Sequence, residues 1–150
     1  GATAGGPYDV LYINGSAGGS LRRVDIDTSS SISILIDTPP THPFQSQYTI
    51  FGTRGAPTPS DAFTLPLGFG TMMFLPCLFA PTNPELFILV DTFGFTGCPG
   101  VVGGFLTPYT VMHPGIPFEI DFALQALIAD QSAPNGLALS NAVLGRIRNP

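Results

Sequence analysis

Two pairs of carboxylates in this sequence have the spacing that brings both members to one face of a β-strand. Asp25 and Asp27 form the first pair, and Glu119 and Asp121 form the second. Because side chains two residues apart in a strand point the same way, each pair presents its carboxylates together. Such a pair suits calcium binding or glycoside hydrolysis, in which two carboxyls lie about 5–9.5 Å apart. We favour solvent-facing strand residues instead, because no D-x-D-x-D-G calcium loop is present.

Other side chains suited to catalysis are few. The sequence contains no lysine, which excludes Schiff-base chemistry and the phosphate-binding P-loop. His42 and His113 each precede a proline, and we interpret both as exposed loop residues. Ser16 is out of register with the G-x-S-x-G nucleophile elbow. The sequence therefore predicts no catalytic residues, no metal site and no cofactor, and we expect that the protein is not an enzyme.

The two cysteines, Cys77 and Cys98, each adjoin a proline and are expected in turns. Two thiolates are only half of a zinc site, so this is not a metal-binding pattern. We predict a disulfide between them, with two buried free thiols as the alternative. Such a bridge contributes about 3 kcal/mol and is typical of oxidising compartments. Together with the absence of lysine and the mature-looking start at Gly1, it predicts a secreted protein, extracellular or at the cell surface.

Carbohydrate recognition is an alternative role for a secreted β-protein. Sugar rings stack on exposed aromatic side chains, but the sequence has no tryptophan, and its 12 phenylalanines are expected mostly in a core. The candidates for a sugar platform are the four tyrosines, Tyr8, Tyr12, Tyr48 and Tyr109. Asn14, in the triplet Asn14-Gly15-Ser16, is a candidate glycosylation acceptor in a turn.

The chain carries few charged groups for its length. Of its 150 residues 10% are charged, compared with about 25% in ordinary domains, and the net charge is -5. The five basic residues are all arginine and form no cluster, which excludes nucleic acid as a partner and a polybasic membrane anchor. The uncharged stretch 62–84 is interrupted by prolines and glycines, so we predict no membrane insertion.

Period-2 patterns place most of the chain on β-strands. In 118–129 apolar side chains alternate with Glu119, Asp121 and Gln125, which predicts a long strand with one solvent-facing side. Asn135-Gly136 is typical of a tight turn, and a second strand is predicted at 137–147, so the last 30 residues predict a hairpin. Further strands are predicted at 8–13, 21–27, 31–37 and 47–53.

The middle of the chain is different in composition. Segments 69–75 and 86–90 are apolar on both faces, which predicts strands covered on both sides, and the uncharged segment 92–118 is predicted to be loop-rich. About eight or nine short strands with little or no helix predict an all-β fold, a single antiparallel β-sandwich of jelly-roll or Ig-like type. Residues 1–7 are predicted to be a flexible N-terminal tail, and 8–150 to form the one β-sandwich domain.

Three blocks of sequence resemble one known family. They are NGSAGG at 14–19 followed by RRVD at 22–25, DAFTLPLG at 61–68 leading to GTM at 70–72, and LQA at 124–126 continuing to APNGLALSNA at 133–142. They resemble small secreted domains of unknown function that are abundant in planctomycete-like bacteria and often end larger exported proteins. The likeness spans nearly the whole chain. It implies export and a β-rich fold, and it brings no catalytic residues.

The charge deficit leads to a functional hypothesis. A domain with so few charges is expected to expose apolar patches, which mark interfaces, and segment 62–118 is predicted to be core or covered by another subunit. We predict a non-enzymatic, secreted structural protein that binds itself as a subunit of an extracellular homopolymer, a filament or surface layer. Tyr8, Val10 and Tyr12 form the candidate assembly strand, which would be added to a neighbour's sheet. The alternative is an extracellular carbohydrate- or ligand-binding β-sandwich module with a surface glycan as its partner.

Overall fold

The computed structural model of the chain describes residues 9–40, 44–66, 69–95, 98, 104–133 and 135–150. Within these residues the fold is all-β, with ten strands, three short 3₁₀ helices and no α-helix. The strands are β1 (Leu11–Ile13), β2 (Arg23–Asp27), β3 (Ile32–Ile36), β4 (Tyr48–Arg54), β5 (Phe63–Thr64), β6 (Thr71–Met72), β7 (Leu86–Asp91), β8 (Tyr109–His113), β9 (Ile120–Ala129) and β10 (Leu137–Arg148). The 3₁₀ helices are Gly19–Leu21, Pro59–Asp61 and Cys77–Phe79. The all-β prediction is confirmed, and the strands outnumber the predicted eight or nine.

The strands form three sheets. Their orders are β1-β3-β8, β2-β10-β9-β4-β7 and β5-β6. Every pair is antiparallel except β2 with β10, which is parallel. The prediction of an antiparallel arrangement throughout is therefore wrong at this pair. Parallel neighbours need a long crossover connection, and segment 28–136, which separates β2 from β10, provides it.

The predicted C-terminal hairpin is confirmed. β9 and β10 pair from Ile120 with Ile147 to Ala129 with Leu137, and the register shifts at a bulge between Leu139 and Ala142. The backbone N–H of Asp130 donates to the carbonyl of Gly136 across the turn. Gly136 has a φ of 75°, the left-handed conformation that glycine adopts without strain.

The first of two hydrophobic clusters includes residues of both the three-stranded and the five-stranded sheet. The isoleucines of β3 belong to this cluster, and they share one face of the strand as predicted. Alternate residues of β4, β9 and β10 pack against them from the five-stranded sheet. Its buried members include Val10, Leu11, Ile13, Ile32, Ile34, Ile36, Tyr48, Ile50, Leu124, Ile128, Val143 and Ile147.

The second cluster contains the residues of the five-stranded sheet that point the other way. Phe51, Ile88 and Leu127 pack there against buried side chains of segment 65–77, which include Met72 and Phe74. The predicted solvent-facing side of β9 is therefore wrong in its central part, because an apolar cover from elsewhere in the chain lies over it. The predicted strand 69–75 is a strand only at Thr71–Met72.

Segment 109–113 lies within the stretch 92–118 that is predicted to be loop-rich, and it forms the strand β8. Its alternating pattern is only five residues long and is flanked by Pro108 and Pro114, which are typical of loops. β8 pairs with β3 from Ile36 opposite Tyr109 to Ile32 opposite His113. The part of the chain predicted to be core or covered is thus only partly buried, since Phe79, Phe105, Met112 and Phe118 are exposed.

Candidate functional site

Two uncharged segments of the sequence meet at one end of the sheets. Segments 38–48 and 92–109 contain no Asp, Glu, Lys or Arg. Hydrogen bonds join their described residues: the Thr38 hydroxyl donates to the Thr107 hydroxyl at 2.9 Å, and the Thr107 backbone N–H donates to the Ser46 carbonyl at 3.1 Å. We call the described residues of these two segments the uncharged end. It lies where β3, β7 and β9 finish and β4 and β8 begin.

Large apolar side chains are exposed at this end. Phe105 is 78% exposed and Phe44 is 73% exposed, and Leu106 beside Phe105 is also exposed. The ring of Phe105 meets Tyr109 edge-on, with ring centroids 6.0 Å apart. Exposed aromatic residues on uncharged surroundings are typical of a surface that another apolar surface covers.

A buried tyrosine holds the Phe105 loop in place. Tyr48 is fully buried, and its hydroxyl donates to the Phe105 carbonyl at 2.8 Å. Burial raises the pKa of Tyr48 well above its ordinary value, and the nearby Tyr109 contributes in the same direction. The hydroxyl of Thr107 accepts from the Ser46 backbone N–H at 2.9 Å. The loop that presents Phe105 and Leu106 is therefore attached to the core by buried hydrogen bonds.

The carboxylate that borders this end is directed into its own loop. Asp91 Oδ1 accepts from the Thr49 hydroxyl at 2.7 Å and from the backbone N–H groups of Phe93 and Gly94 at 2.9 and 3.2 Å. Its Oδ2 accepts from the backbone N–H of Phe95. Three of these donors are backbone N–H groups of the loop after β7, so their hydrogen bonds to the Asp91 carboxylate hold that loop in place.

One sheet edge starts at the uncharged end. β8 is the outermost strand of the order β1-β3-β8, and no described strand pairs with its outer side. Thr110, Met112 and His113 are exposed along it. His113 Nδ1 accepts from the Gly115 backbone N–H at 3.1 Å, so this histidine has a local structural contact. An unpaired strand edge is a template for pairing with another chain.

The opposite end of the sheets carries the predicted carboxylate pairs, beside arginines. Asp25 lies opposite Arg146 in register, and Asp121 lies opposite Arg146 on the other side of β10. Arg148 Nη1 lies 2.9 Å from Asp121 Oδ1, and Arg23 Nε lies 3.2 Å from Asp25 Oδ1. We call this region of β2, β9 and β10, with the adjoining Arg54 and Glu85, the charged end.

The remaining predicted carboxylates belong to the same end. Glu119 accepts from the Asn149 backbone N–H at 3.1 Å, and Asp27 lies opposite Arg148 in register. Within the described residues there is no group of three or more His, Cys, Asp or Glu side chains that could hold a metal ion. Of the four predicted carboxylates, Asp25 and Asp121 form ion pairs with arginines.

An open groove of about 310 Å³ also lies at the charged end. Arg54, Asp61, Asn83 and Glu85 supply its polar lining. The loop that carries Asp61 is fixed, since the Thr58 backbone N–H donates to Asp61 Oδ2 at 2.6 Å. A guanidinium and carboxylates around one groove offer both donors and acceptors to a hydroxylated ligand.

The predicted disulfide is confirmed. Cys77 and Cys98 are bonded, with their Cα atoms 5.9 Å apart, and Cys77 is buried in the second cluster. The bridge joins the cover over the five-stranded sheet to Cys98 of the uncharged end. No free cysteine is found among the described residues.

The candidate glycosylation acceptor and the candidate sugar-binding tyrosines are dispersed. Asn14 is exposed in a tight turn, and its Oδ1 accepts from the Ser33 backbone N–H at 2.8 Å. Tyr12 and Tyr109 are half-buried, while Tyr48 is fully buried and offers no ring face to a sugar. Tyr8 and His42 lie outside the described residues.

The candidate assembly strand is part of its own chain's three-stranded sheet. Val10 is buried, Tyr12 is half-buried, and Leu11, Tyr12 and Ile13 pair with Ile36, Leu35 and Ile34. The Tyr12 hydroxyl donates to the Asp9 carbonyl at 2.8 Å. Burial, followed by the charges of Asp37 and Asp9, raises the pKa of Tyr12. Addition of this strand to a neighbour stays a prediction.

A buried amide that the sequence analysis missed closes the outer edge of β1. Asn141 is fully buried at the β10 bulge. Its Oδ1 accepts from the backbone N–H groups of Val10 and Leu11 at 3.1 and 2.9 Å, and its Nδ2 donates to the Leu11 carbonyl at 2.8 Å. The only signal for it in the sequence was the polar pair Ser140-Asn141 within an apolar strand.

The same bulge connects to the cover on the other side of the sheet. Ser140 Oγ accepts from the Ala126 backbone N–H at 2.8 Å, and Gln125 Nε2 donates to the Ser140 carbonyl at 3.0 Å. Gln125 Oε1 in turn accepts from the Met73 backbone N–H at 2.9 Å. A continuous polar network therefore crosses the five-stranded sheet from Met73 to β1.

Comparison of the chain with protein-family models, with curated proteins and with solved structures gives no match in any of the three. None of the helices in the described part of the chain has the length and hydropathy needed to span a bilayer.

Proposed function

We propose that the protein is a non-enzymatic, secreted structural protein, a subunit that assembles with copies of itself into an extracellular homopolymer, either a filament or a surface layer. The observation that carries this proposal is the uncharged end, where Phe44, Phe105 and Leu106 are exposed beside β8, the last described strand of its sheet. Exposed apolar area on that scale favours contact with another apolar surface, because contact removes it from water.

The occupant of this surface is a second copy of the chain. A negatively charged partner would lose the hydration of its charges against a surface that offers no counter-charge, because the carboxylates that border it, Asp37 and Asp91, are negative as well. The uncharged end of another copy carries no such penalty, and its hydroxyls and glycines are readily desolvated. The exposed edge of β8 adds backbone donors and acceptors to the same contact.

Export and the layered architecture belong to the same proposal. The disulfide between Cys77 and Cys98 is typical of proteins that fold in an oxidising compartment. We propose further that the three-stranded and five-stranded sheets are the two layers of a β-sandwich, since the first hydrophobic cluster takes residues from both. Residues 8–150 would then be a single domain.

Sedimentation velocity over a wide concentration range tests the assembly. We expect species larger than a monomer for the unmodified chain. Phe105→Asp should weaken self-association by about tenfold or more, which corresponds to about 1.4 kcal/mol. Leu21→Asp is the matched control, because Leu21 is 73% exposed, nearly as much as Phe105, but lies away from the uncharged end. A chain that stays monomeric at all concentrations, or equal effects of both variants, would contradict the proposal.

The groove at the charged end favours a second candidate function, the binding of a carbohydrate or similar hydroxylated ligand. Its donors and acceptors come from Arg54, Asn83, Asp61 and Glu85. A glycan array, probed with and without calcium, tests this candidate. Binding that disappears in Arg54→Ala and persists in Arg146→Ala would support it, and an array without any bound glycan would count against it.

A further inference from the structure

We infer that copies of this chain exchange strand β1, so that segment 9–13 of one copy occupies the β1 position of the next. This inference rests on the proposed self-assembly and names the segment that performs it. Two observations carry it: how β1 is held and what connects it to the rest of the chain.

The position of β1 is a slot that recognises mainly backbone. On one side β3 pairs with it, and the Asp37 backbone N–H donates to the Val10 carbonyl at 2.8 Å. On the other side the single side chain of Asn141 makes three hydrogen bonds to Val10 and Leu11. Leu11 and Ile13 are fully buried. A slot of this kind accepts an identical strand from another copy with every contact preserved.

The connection after β1 is suited to opening. It reads NGSAGG at 14–19, and Asn14, Gly15, Gly18 and Gly19 all have positive φ. Few backbone hydrogen bonds hold the turn, chiefly those that join Ile13 and Ser16 in both directions at 2.9 Å. Because glycine adopts many backbone conformations, the three glycines of the segment give it flexibility once it opens.

The chain enters the slot next to the uncharged end. The backbone N–H of Asp37 donates a hydrogen bond to the Val10 carbonyl. Thr38, which follows Asp37 in the chain, belongs to the uncharged end, and its hydroxyl donates to the Thr107 hydroxyl. An exchanged strand would therefore place Asp9 and Val10 beside this surface, while its connection to the donating copy leaves the slot at the other end, after Ile13. Contact at the uncharged end and exchange of β1 are thus two separate contacts between copies.

Exchange of this kind generates a polymer when each copy gives its strand to the next. The donated surface, β1, and the accepting surface, β3 with Asn141, are different parts of the chain, so the contact is heterologous. Heterologous contacts that do not close into a ring continue indefinitely. Filament growth then needs no surface beyond those already described.

A pair of introduced cysteines distinguishes a strand of the same chain from one of another chain. Tyr12 and Leu35 are directly opposite in register and half-buried. In Tyr12→Cys/Leu35→Cys, oxidation links β1 to the β3 with which it is actually paired. The control is Ser33→Cys/Met112→Cys, also directly opposite but on β3 and β8, which stay in one chain. Both are analysed by non-reducing gel electrophoresis, with sedimentation velocity on the same material.

Exchange predicts covalent dimers, trimers and longer chains for Tyr12→Cys/Leu35→Cys, and only internally linked monomers for the control. Internally linked monomers in both variants, in material that sediments as an assembly, would overturn strand exchange and leave the proposed function standing. Strand exchange would also be overturned if both variants formed covalent chains, or if the control formed its internal disulfide while Tyr12→Cys/Leu35→Cys formed none. Monomeric sedimentation throughout would overturn the proposed function as well.

Discussion

The two ends of the five-stranded sheet use polar groups in opposite ways. At the charged end, polar groups are ionised, partly exposed and paired with one another, as Arg148 is with Asp121. At the uncharged end, Tyr48 and Thr107 are neutral, buried and bonded to backbone, and so is Asn141 at the β10 bulge. The exposed surface at the uncharged end is left to apolar side chains such as Phe105.

This difference shows how a surface with few charges can still have a defined shape. Buried hydrogen bonds fix the loops of the uncharged end, so that its apolar side chains are presented in a defined geometry. Solvated ion pairs at the charged end contribute little to stability, but they oppose burial of that end in an interface. Substitutions at the two ends should therefore differ in size and in their response to salt and pH.

The largest effect is expected for Asn141→Ala. The change leaves the buried backbone groups of Val10 and Leu11 without a partner, and we expect the free energy of unfolding to fall by about 3–5 kcal/mol. Denaturant titration followed by fluorescence or circular dichroism measures it. Asn149→Ala, at an exposed residue beyond the charged end, should change stability by less than about 0.5 kcal/mol. If both variants lost a similar amount of unfolding free energy, the buried hydrogen bonds of Asn141 would not be more stabilising than the exposed polar contacts near the charged end.

Thr107→Val is expected to have the next largest effect. Valine has the shape of threonine, but it leaves the buried Ser46 N–H and the Thr38 hydroxyl without their acceptor. We expect a loss of about 2 kcal/mol in the free energy of unfolding. Thr110→Val on the exposed side of β8 is the control and should be close to neutral. A neutral Thr107→Val would show that these bonds do not hold the loop.

Tyr48 should make stability depend on alkaline pH. Its pKa in the folded chain is raised above the ordinary value of 10.0, chiefly by burial. Above pH 10 the unfolded chain loses this proton while the folded chain keeps it, so the stability present below pH 10 falls as pH rises further. Tyr48→Phe should cost about 1 kcal/mol at neutral pH and reduce this alkaline loss. Tyr12→Phe, at a half-exposed tyrosine, should leave most of it unchanged; the reverse ranking would contradict the assignment.

The smallest effect is expected at the charged end. Asp121→Asn removes the ion pair with Arg148, and we expect a loss of about 0.5 kcal/mol at low salt. High salt should reduce the loss, because it screens the pair in the unmodified chain. Thermal unfolding at two salt concentrations measures both effects. A loss as large as that of Thr107→Val would show that the two ends are not held differently.

Local alternation in the sequence predicts strands even where the partner is distant in the chain, since β2 was expected although it pairs with β10. The β9–β10 hairpin follows from alternation and from Asn135-Gly136, and the buried face of β3 follows from its isoleucines. The burial of Gln125 could not be predicted in this way. The side chains that cover it come from segment 65–77, and the local hydrophobic pattern of β9 carries no information about a distant segment. Asn141 was missed for a related reason, since its partners are separated from it by 130 and 131 residues.

The same separation affects the order in which the chain folds. During synthesis β1 emerges first, but the amide that completes its slot is made some 130 residues later. Contacts between such distant segments form late, because loop closure must precede them. A nascent chain therefore carries an unsatisfied strand until Asn141 has been synthesised. Under the proposed exchange of β1, the slot of another copy would be available to this strand before the chain's own slot exists, so assembly would compete with the last step of folding.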